Sequence, residues 1–358
     1  MVEMVERPRS FTDRAKDIAR RVIRHENAAI GIVLAAIIAG MAFFTGGKSI
    51  RIGNMKMVLV EGSTMGICAI GQMFVLLTAG IDLSIAGVAF GTSALGSAMM
   101  TTQLWQNLFV KFETLSFLGH LAPTPIWMGI PAMLALGAGL GLISGMFVSR
   151  VGVPAFIATL GMWQIAHGIG FLITGGYTLR RMVDPLPFFG QGWVAQALIP
   201  GRPAGFPVAG IIWILVGVVA YFVLHYTNYG RAVYATGGNP VMAWLSGINV
   251  KATQLSVFII SGCLATLGGL IRTSRVMSVS FASFNMLELQ SIAAAVVGGV
   301  SLFGGRGTVI GVVLGGLIIA VIMNGTSILG ADPFIESTVL GVLIIAAIAI
   351  DAWRRGGR

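Results

Sequence analysis

Three acids lie within or at the edge of long apolar runs: Glu61, Asp82 and Glu288. A charge at the centre of a bilayer costs about 2.5–3.5 kcal/mol on insertion scales, so each must face protein, water or the interface. Carboxylates so placed could relay protons, but nothing spaces these three on one face of one helix. Asp82 stands just before the run that begins near Leu83, where it either caps that helix through backbone amides or lies on a polar path. Glu288 has the same two readings, and Glu61 has no partner visible in the sequence. Gln72, Gln164 and Asn324 are neutral hydrogen-bonding groups that suit either a hydroxyl-rich path or interhelical packing.

Other chemistry fails on its spacing. Ala42-Phe43-Phe44-Thr45-Gly46-Gly47-Lys48-Ser49 comes close to a phosphate-binding loop. Ala replaces its first Gly, two Phe occupy its middle, and it follows an apolar helix rather than a strand. Cys68 and Cys263 sit in apolar runs, and His25, His120, His167 and His225 are scattered, so no disulfide or metal pattern forms. No nucleophile, base and orienting group recur at recognisable spacing, which disfavours an enzyme.

The elements that must position these residues are membrane helices. The 358 residues are 56% hydrophobic and 10% charged, with 50 Gly, whereas a soluble domain carries about 25% charged residues. Mean hydropathy is +0.89. Apolar runs of helix-spanning length recur, and a barrel would show short alternating segments instead. The expected fold is all-α and polytopic, with about ten spans: Ala28–Gly46, Met57–Ala79, Leu83–Met100, Ile126–Ser149, Ala155–Gly175, Val208–His225, Leu255–Ser274, Leu289–Phe303, Val309–Gly325 and Phe334–Ala352. Residues 1–27 read as a retained cytoplasmic segment, 28–352 as the transmembrane domain with a loop at 226–254, and 353–358 as a cytoplasmic tail.

The net charge of +10 lies at helix ends and lacks aromatic interleaving, so nucleic acid is not an expected partner. With the N-terminus inside, fourteen Lys and Arg fall on the cytoplasmic side and nine outside. This bias places both termini in the cytoplasm. Small residues at four-residue spacing (Gly87 and Gly91; Gly137, Gly141 and Gly145; Gly311 and Gly315) are a helix-packing signal. Ser84-Ile85-Ala86 and Ser291-Ile292-Ala293 align at one constant offset together with Gly91/Gly298 and Leu95/Leu302, which raises an inverted repeat.

In the loop 226–254, Asn239 suits a helix N-cap, Pro240 the first helical position and Gly247 a left-handed terminator. They bracket a two-turn helix, Pro240 to Ser246, that offers Val241, Met242, Trp244 and Leu245 for burial against lipid or another protein.

The stretch Gly230-Arg231 through Gly238-Asn239-Pro240 to Val250 resembles the cytoplasmic coupling segment in membrane subunits of ribose-type sugar ABC importers. Gly71-Gln72 with Gly80-Ile81-Asp82-Leu83-Ser84, Pro154 to Leu160, and Ile292 to Gly299 with Gly304-Gly305-Arg306-Gly307 are similar to that family as well, in its order. The resemblance implies a permease that pairs with a second copy or a paralogue in a bacterial inner membrane. It implies two ATP-binding cassette subunits, which hold the ATP and Mg, with no cofactor on this chain, and an extracytoplasmic sugar-binding protein. It assigns ATPase coupling to Gly230, Arg231, Gly238, Asn239, Pro240, Val241, Met242, Trp244, Leu245, Ser246 and Gly247. A stand-alone proton-coupled transporter is the alternative.

Four features depart from the family pattern. Trp244 replaces a commonly basic residue, and Gln290 stands where relatives often carry an acid. The loop Thr101 to Pro125 is long, and Arg272 with Arg275 makes an outer region basic.

Overall fold

The computed structural model describes residues 26–100, 124–180, 186–194 and 205–356. Most of the proposed segment 1–27, most of the loop Thr101 to Pro125, and the end of the tail lie outside the described residues. Thirteen α-helices make up most of the described chain: α1 (Glu26–Phe44), α2 (Ile52–Leu77), α3 (Ile85–Met100), α4 (Ile126–Met146), α5 (Ala155–Thr174), α6 (Pro187–Gln191), α7 (Val208–Tyr226), α8 (Asn228–Gly238), α9 (Pro240–Leu245), α10 (Val250–Val276), α11 (Leu287–Val297), α12 (Val309–Ile328) and α13 (Pro333–Gly356). A π-helical turn, Phe147–Val151, prolongs α4, and the strands β1 (Leu179–Arg180) and β2 (Ser278–Val279) pair antiparallel.

Seven of these segments are long and apolar enough to cross a membrane, and three shorter apolar ones, Ile85–Met100, Phe281–Val297 and Phe334–Ala346, complete the set anticipated from hydropathy. The protein is an all-α polytopic membrane protein. Helix ends differ from the apolar limits for physical reasons. α2 begins at Ile52 rather than Met57 and α10 at Val250 rather than Leu255, since helices continue through the polar residues of their first turns. The span expected over Leu289–Phe303 stops at Val297, where Gly299 turns left-handed (φ +84) and a tight turn follows.

α2 and α10 pack against one another at the centre. α2 also packs on α11 and α12, and α10 on α3 and α4, so the two central helices hold exchanged sets of neighbours. An inverted repeat, which the sequence offset raises, would be compatible with such an exchange. The sequence offset does not register with it, because Ser84 precedes α3 whereas Ser291 lies inside α11.

The small-residue stripes mark the seams. A side chain on Gly137 or Gly141 would run into Gly262 and Phe258 of α10, on Gly87 into Trp163 of α5, and on Gly315 into Ala294 of α11. Backbone contact of this kind gives dispersion energy where lipid supplies no drive to associate. α3 is the most enclosed helix, with only Leu95 and Met99 partly exposed.

The hydrogen bonds define two ends of the bundle. At one, Thr308 Oγ1 donates to Asn27 Oδ1 (2.5 Å) and Tyr234 Oη donates to Gly307 O (2.8 Å). At the other, Asn54 Nδ2 donates to Asn324 Oδ1 (2.7 Å) and Gln191 Nε2 to Arg275 O (2.8 Å). The start of α1 and the short helix α9 share the first end.

Candidate functional site

α8 and α9 form a capped, two-helix platform between α7 and α10. The Thr227 hydroxyl accepts from Gly230 N (3.2 Å) to start α8. Asn239 Oδ1 accepts from Val241 N (3.1 Å) and Met242 N (3.0 Å) to start α9. Pro240 occupies the first turn, where its missing N–H costs nothing. At the far end Ser246 N bonds to Met242 O (3.0 Å), Gly247 turns left-handed (φ +82) and Ile248 N returns to Ala243 O (3.0 Å). Asn249 Oδ1 then accepts from Ala252 N (3.0 Å) and starts α10. With each break capped, α9 is held as a rigid unit.

Only Ala243 of α9 is buried; Val241, Met242, Trp244 and Leu245 are 57–68% exposed. Beside them runs a groove of about 720 Å³ walled by Pro240, Val241 and Trp244 and by Ile248, Lys251 and Ser149. Four large apolar side chains in two exposed turns form a patch that calls for a partner surface. Arg231 is exposed and its guanidinium donates to Asn228 Oδ1.

The platform is tied inward at three places. Tyr229 Oη and Ser256 Oγ share a hydrogen bond (2.8 Å), which joins α8 to α10. Tyr234 reaches Gly307 before α12, as described above. Gly237 lies so close to Leu77 O, at the end of α2, that no side chain fits there. Gly305 N donates to the same carbonyl (2.9 Å). Burial pushes both tyrosine phenols above their ordinary range, so they stay protonated at neutral pH. These contacts of α8 tie the platform to both central helices.

Just above this junction lies a fully satisfied buried polar lock. Asp82 Oδ1 accepts from Ser84 N (2.9 Å) and Ser84 Oγ (2.6 Å), while Oδ2 accepts from Ser261 Oγ of α10 (2.6 Å). The Gln72 amide of α2 donates to Asp82 O (3.0 Å) and accepts from Asp82 N (3.2 Å). Asp82 and Gln72 are buried, at 2% and 0% exposure. Their polar groups join α2, α3 and α10.

Residues 54–348 match the family described as branched-chain amino acid transport system, permease component. The chain belongs to this permease family. The ribose import permease protein of Haemophilus influenzae is 36% identical over 310 residues, covering 84% of this chain and 84% of that protein. The fructose import permease protein of Rhizobium meliloti is 34% identical over 330 residues, covering 90% and 84%. The xylose transport system permease protein of Haemophilus influenzae is 30% identical over 353 residues, covering 83% and 89%. No solved structure matches the permease significantly.

The polar residues singled out from the sequence do not converge in the permease. Gln72 and Asp82 lie in the lock, Asn324 bonds Asn54 at the opposite end, and Gln164 is on the exposed face of α5. Glu288 does not cap α11: the cap position is Met286 in a left-handed conformation (φ +65), and Glu288 sits inside the first turn with Oε2 buried and without a partner among the described residues. Glu61, which the sequence leaves without a partner, receives Arg275 Nη2 at 2.6 Å. Asp82 bonds Ser261 across 179 residues and Glu61 bonds Arg275 across 214, distances at which no local spacing signal exists.

The lock gives a stability prediction. Ser261→Ala leaves Asp82 Oδ2 buried without a donor, which costs roughly 1–3 kcal/mol. Thermal melting of the purified permease should show a lowered midpoint, and an unchanged midpoint would mean that Asp82 is held by Ser84 alone.

Proposed function

We propose that this permease is the membrane subunit of an ATP-driven importer that carries a sugar or sugar-like solute. Its partners in this reading are a second permease copy or paralogue, two ATP-binding cassette subunits that hydrolyse the ATP with Mg, and an extracytoplasmic sugar-binding protein. The observation that carries it is α9: a rigid helix with an exposed apolar face, wired into both central helices. Such an element is what an energy-supplying partner needs in order to grip and move the bundle. The choice of a sugar rests on relatives whose names specify ribose, fructose and xylose import.

The α9 end then faces the cytoplasm of a bacterial cell, with both chain termini on that side of the inner membrane. Two of the three acids that a proton-coupled carrier would use are otherwise engaged. Asp82 accepts three hydrogen bonds and Glu61 is ion-paired. This favours the ATP-driven reading.

Uptake in proteoliposomes tests it. Ribose, fructose or xylose should enter with the ATPase, binding protein and ATP present, and none should enter on a proton gradient with the permease alone. Gradient-driven uptake by the lone chain would overturn the reading. Mass measurement of the solubilised complex should give two permease chains with two ATPase subunits. An active complex holding one of each would reject the paired assembly.

A further inference from the structure

The groove beside α9 is walled by more than the apolar face of that helix. Pro240, Val241 and Trp244 of α9 form one part of its lining, and its volume of about 720 Å³ is room for several side chains. The start of α10 adds Lys251 and, a turn on, Gln254. The π-helical turn that prolongs α4 adds Ser149.

Ser149 is 6% exposed, and its Oγ is buried with no hydrogen-bond partner among the described residues. A buried hydroxyl left unpaired carries a cost that an acceptor entering the groove would remove. Lys251 is exposed, and its ammonium can give the same acceptor a charge-assisted hydrogen bond. Arg150, Arg231 and Arg306 are also exposed at this end. Retention of basic residues on one side of a membrane accounts for cations at helix ends. It does not account for a lysine in the wall of an apolar groove that also holds a buried, unpaired hydroxyl. A cationic surface around an apolar patch is complementary to an acidic partner.

We propose that the groove is a socket for an acidic segment of the ATP-binding subunit. A Glu or Asp carboxylate of that segment accepts from the Lys251 ammonium and the Ser149 hydroxyl, while the residues around it pack on Val241 and Trp244. α9 is then held by what covers its exposed face and by what fills the groove at its side. The inference rests on the ATP-driven reading and specifies the chemistry of the partner surface.

The test is carbodiimide coupling, which joins an amine to a carboxylate where the two touch. It is applied to the full-length permease bound to its ATP-binding subunit in phosphatidylcholine nanodiscs. Mass spectrometry should place a link between Lys251 and an Asp or Glu of the ATPase. Lys251→Arg should keep the association and lose the link. Lys251→Glu should weaken association about tenfold or more, and Lys251→Gln severalfold with a flatter salt dependence. Ser149→Ala should weaken association severalfold without lowering the melting midpoint of the free permease, where that hydroxyl bonds to nothing described. A link from Lys251 only to acids of this chain, or unchanged association in Lys251→Glu, overturns the inference. So does ATPase binding that falls when phosphatidylglycerol is added and recovers in Lys251→Gln, since the anion in the groove would then be a lipid's. An ATPase that binds and drives uptake with no link at Lys251 overturns this inference alone. Failure of the ATPase to bind or to energise uptake removes the parent reading as well.

Discussion

Trp244→Ala is expected to abolish substrate-stimulated ATP hydrolysis in the assembled transporter while the permease still inserts and pairs. Trp244 is 68% exposed, so truncating it removes little packing within the chain. At an interface, loss of a large aromatic anchor often costs about 2 kcal/mol or more. Gly247→Val attacks the same element through its backbone. A Cβ at Gly247 meets nothing within 4 Å, but φ is +82, so the whole penalty is conformational. Strain of about 1–3 kcal/mol would be relieved by tilting α9 away from its set angle to α10. Association with the ATPase and stimulated hydrolysis should both fall in each variant. If both assemble and transport like the parent protein, α9 lies in the lipid interface and the coupling role is lost.

A second pair of substitutions separates two neighbouring glycines. Gly237→Ala places a methyl group onto Leu77 O and crowds Gly305 N (2.8 Å), and both obstacles are backbone. The Gly305 N to Leu77 O bond (2.9 Å) must also break or shift. The cost should reach or exceed the about 1–3 kcal/mol typical of overpacked sites, because neither carbonyl nor amide can rotate away as a side chain would. Gly238→Ala meets nothing within 4 Å and should stay within about 0.5 kcal/mol of the parent. Yield of folded protein and thermal melting in detergent check the contrast. Equal behaviour of the two variants would show that α8 does not press on the end of α2.

What the sequence revealed follows from the range of the interactions involved. Asn239, Pro240 and Gly247 act on groups within a few residues, so their pattern alone locates α9. Apolar runs likewise marked the membrane segments, although hydropathy ran past the Gly298-Gly299 break because Val300, Leu302 and Phe303 remain apolar in the turn. The Asp82–Ser261 and Glu61–Arg275 contacts were illegible, since each partner is an ordinary Ser or Arg in a helix 179 or 214 positions away. The glycine stripes were legible as seams but not as to which helices they join. Gly237 was illegible altogether: its need arises from a carbonyl at Leu77, at the end of a different helix.

The enclosure of α3 bears on how the chain is made. At 16 residues it spans only about 24 Å at 1.5 Å per residue, short of a hydrocarbon core of about 30 Å. Thr92, Ser93 and Ser97 are all buried within it. On its own it is a poor match for lipid, yet the helix that packs along it from the second half, α10, begins 150 residues later. At about 5–20 residues per second that is a wait of roughly 8–30 s during synthesis. Chains stalled before Val250 should therefore leave α3 only partly sheltered, and it is these nascent forms, more than the finished permease, that quality-control proteases of the membrane would recognise.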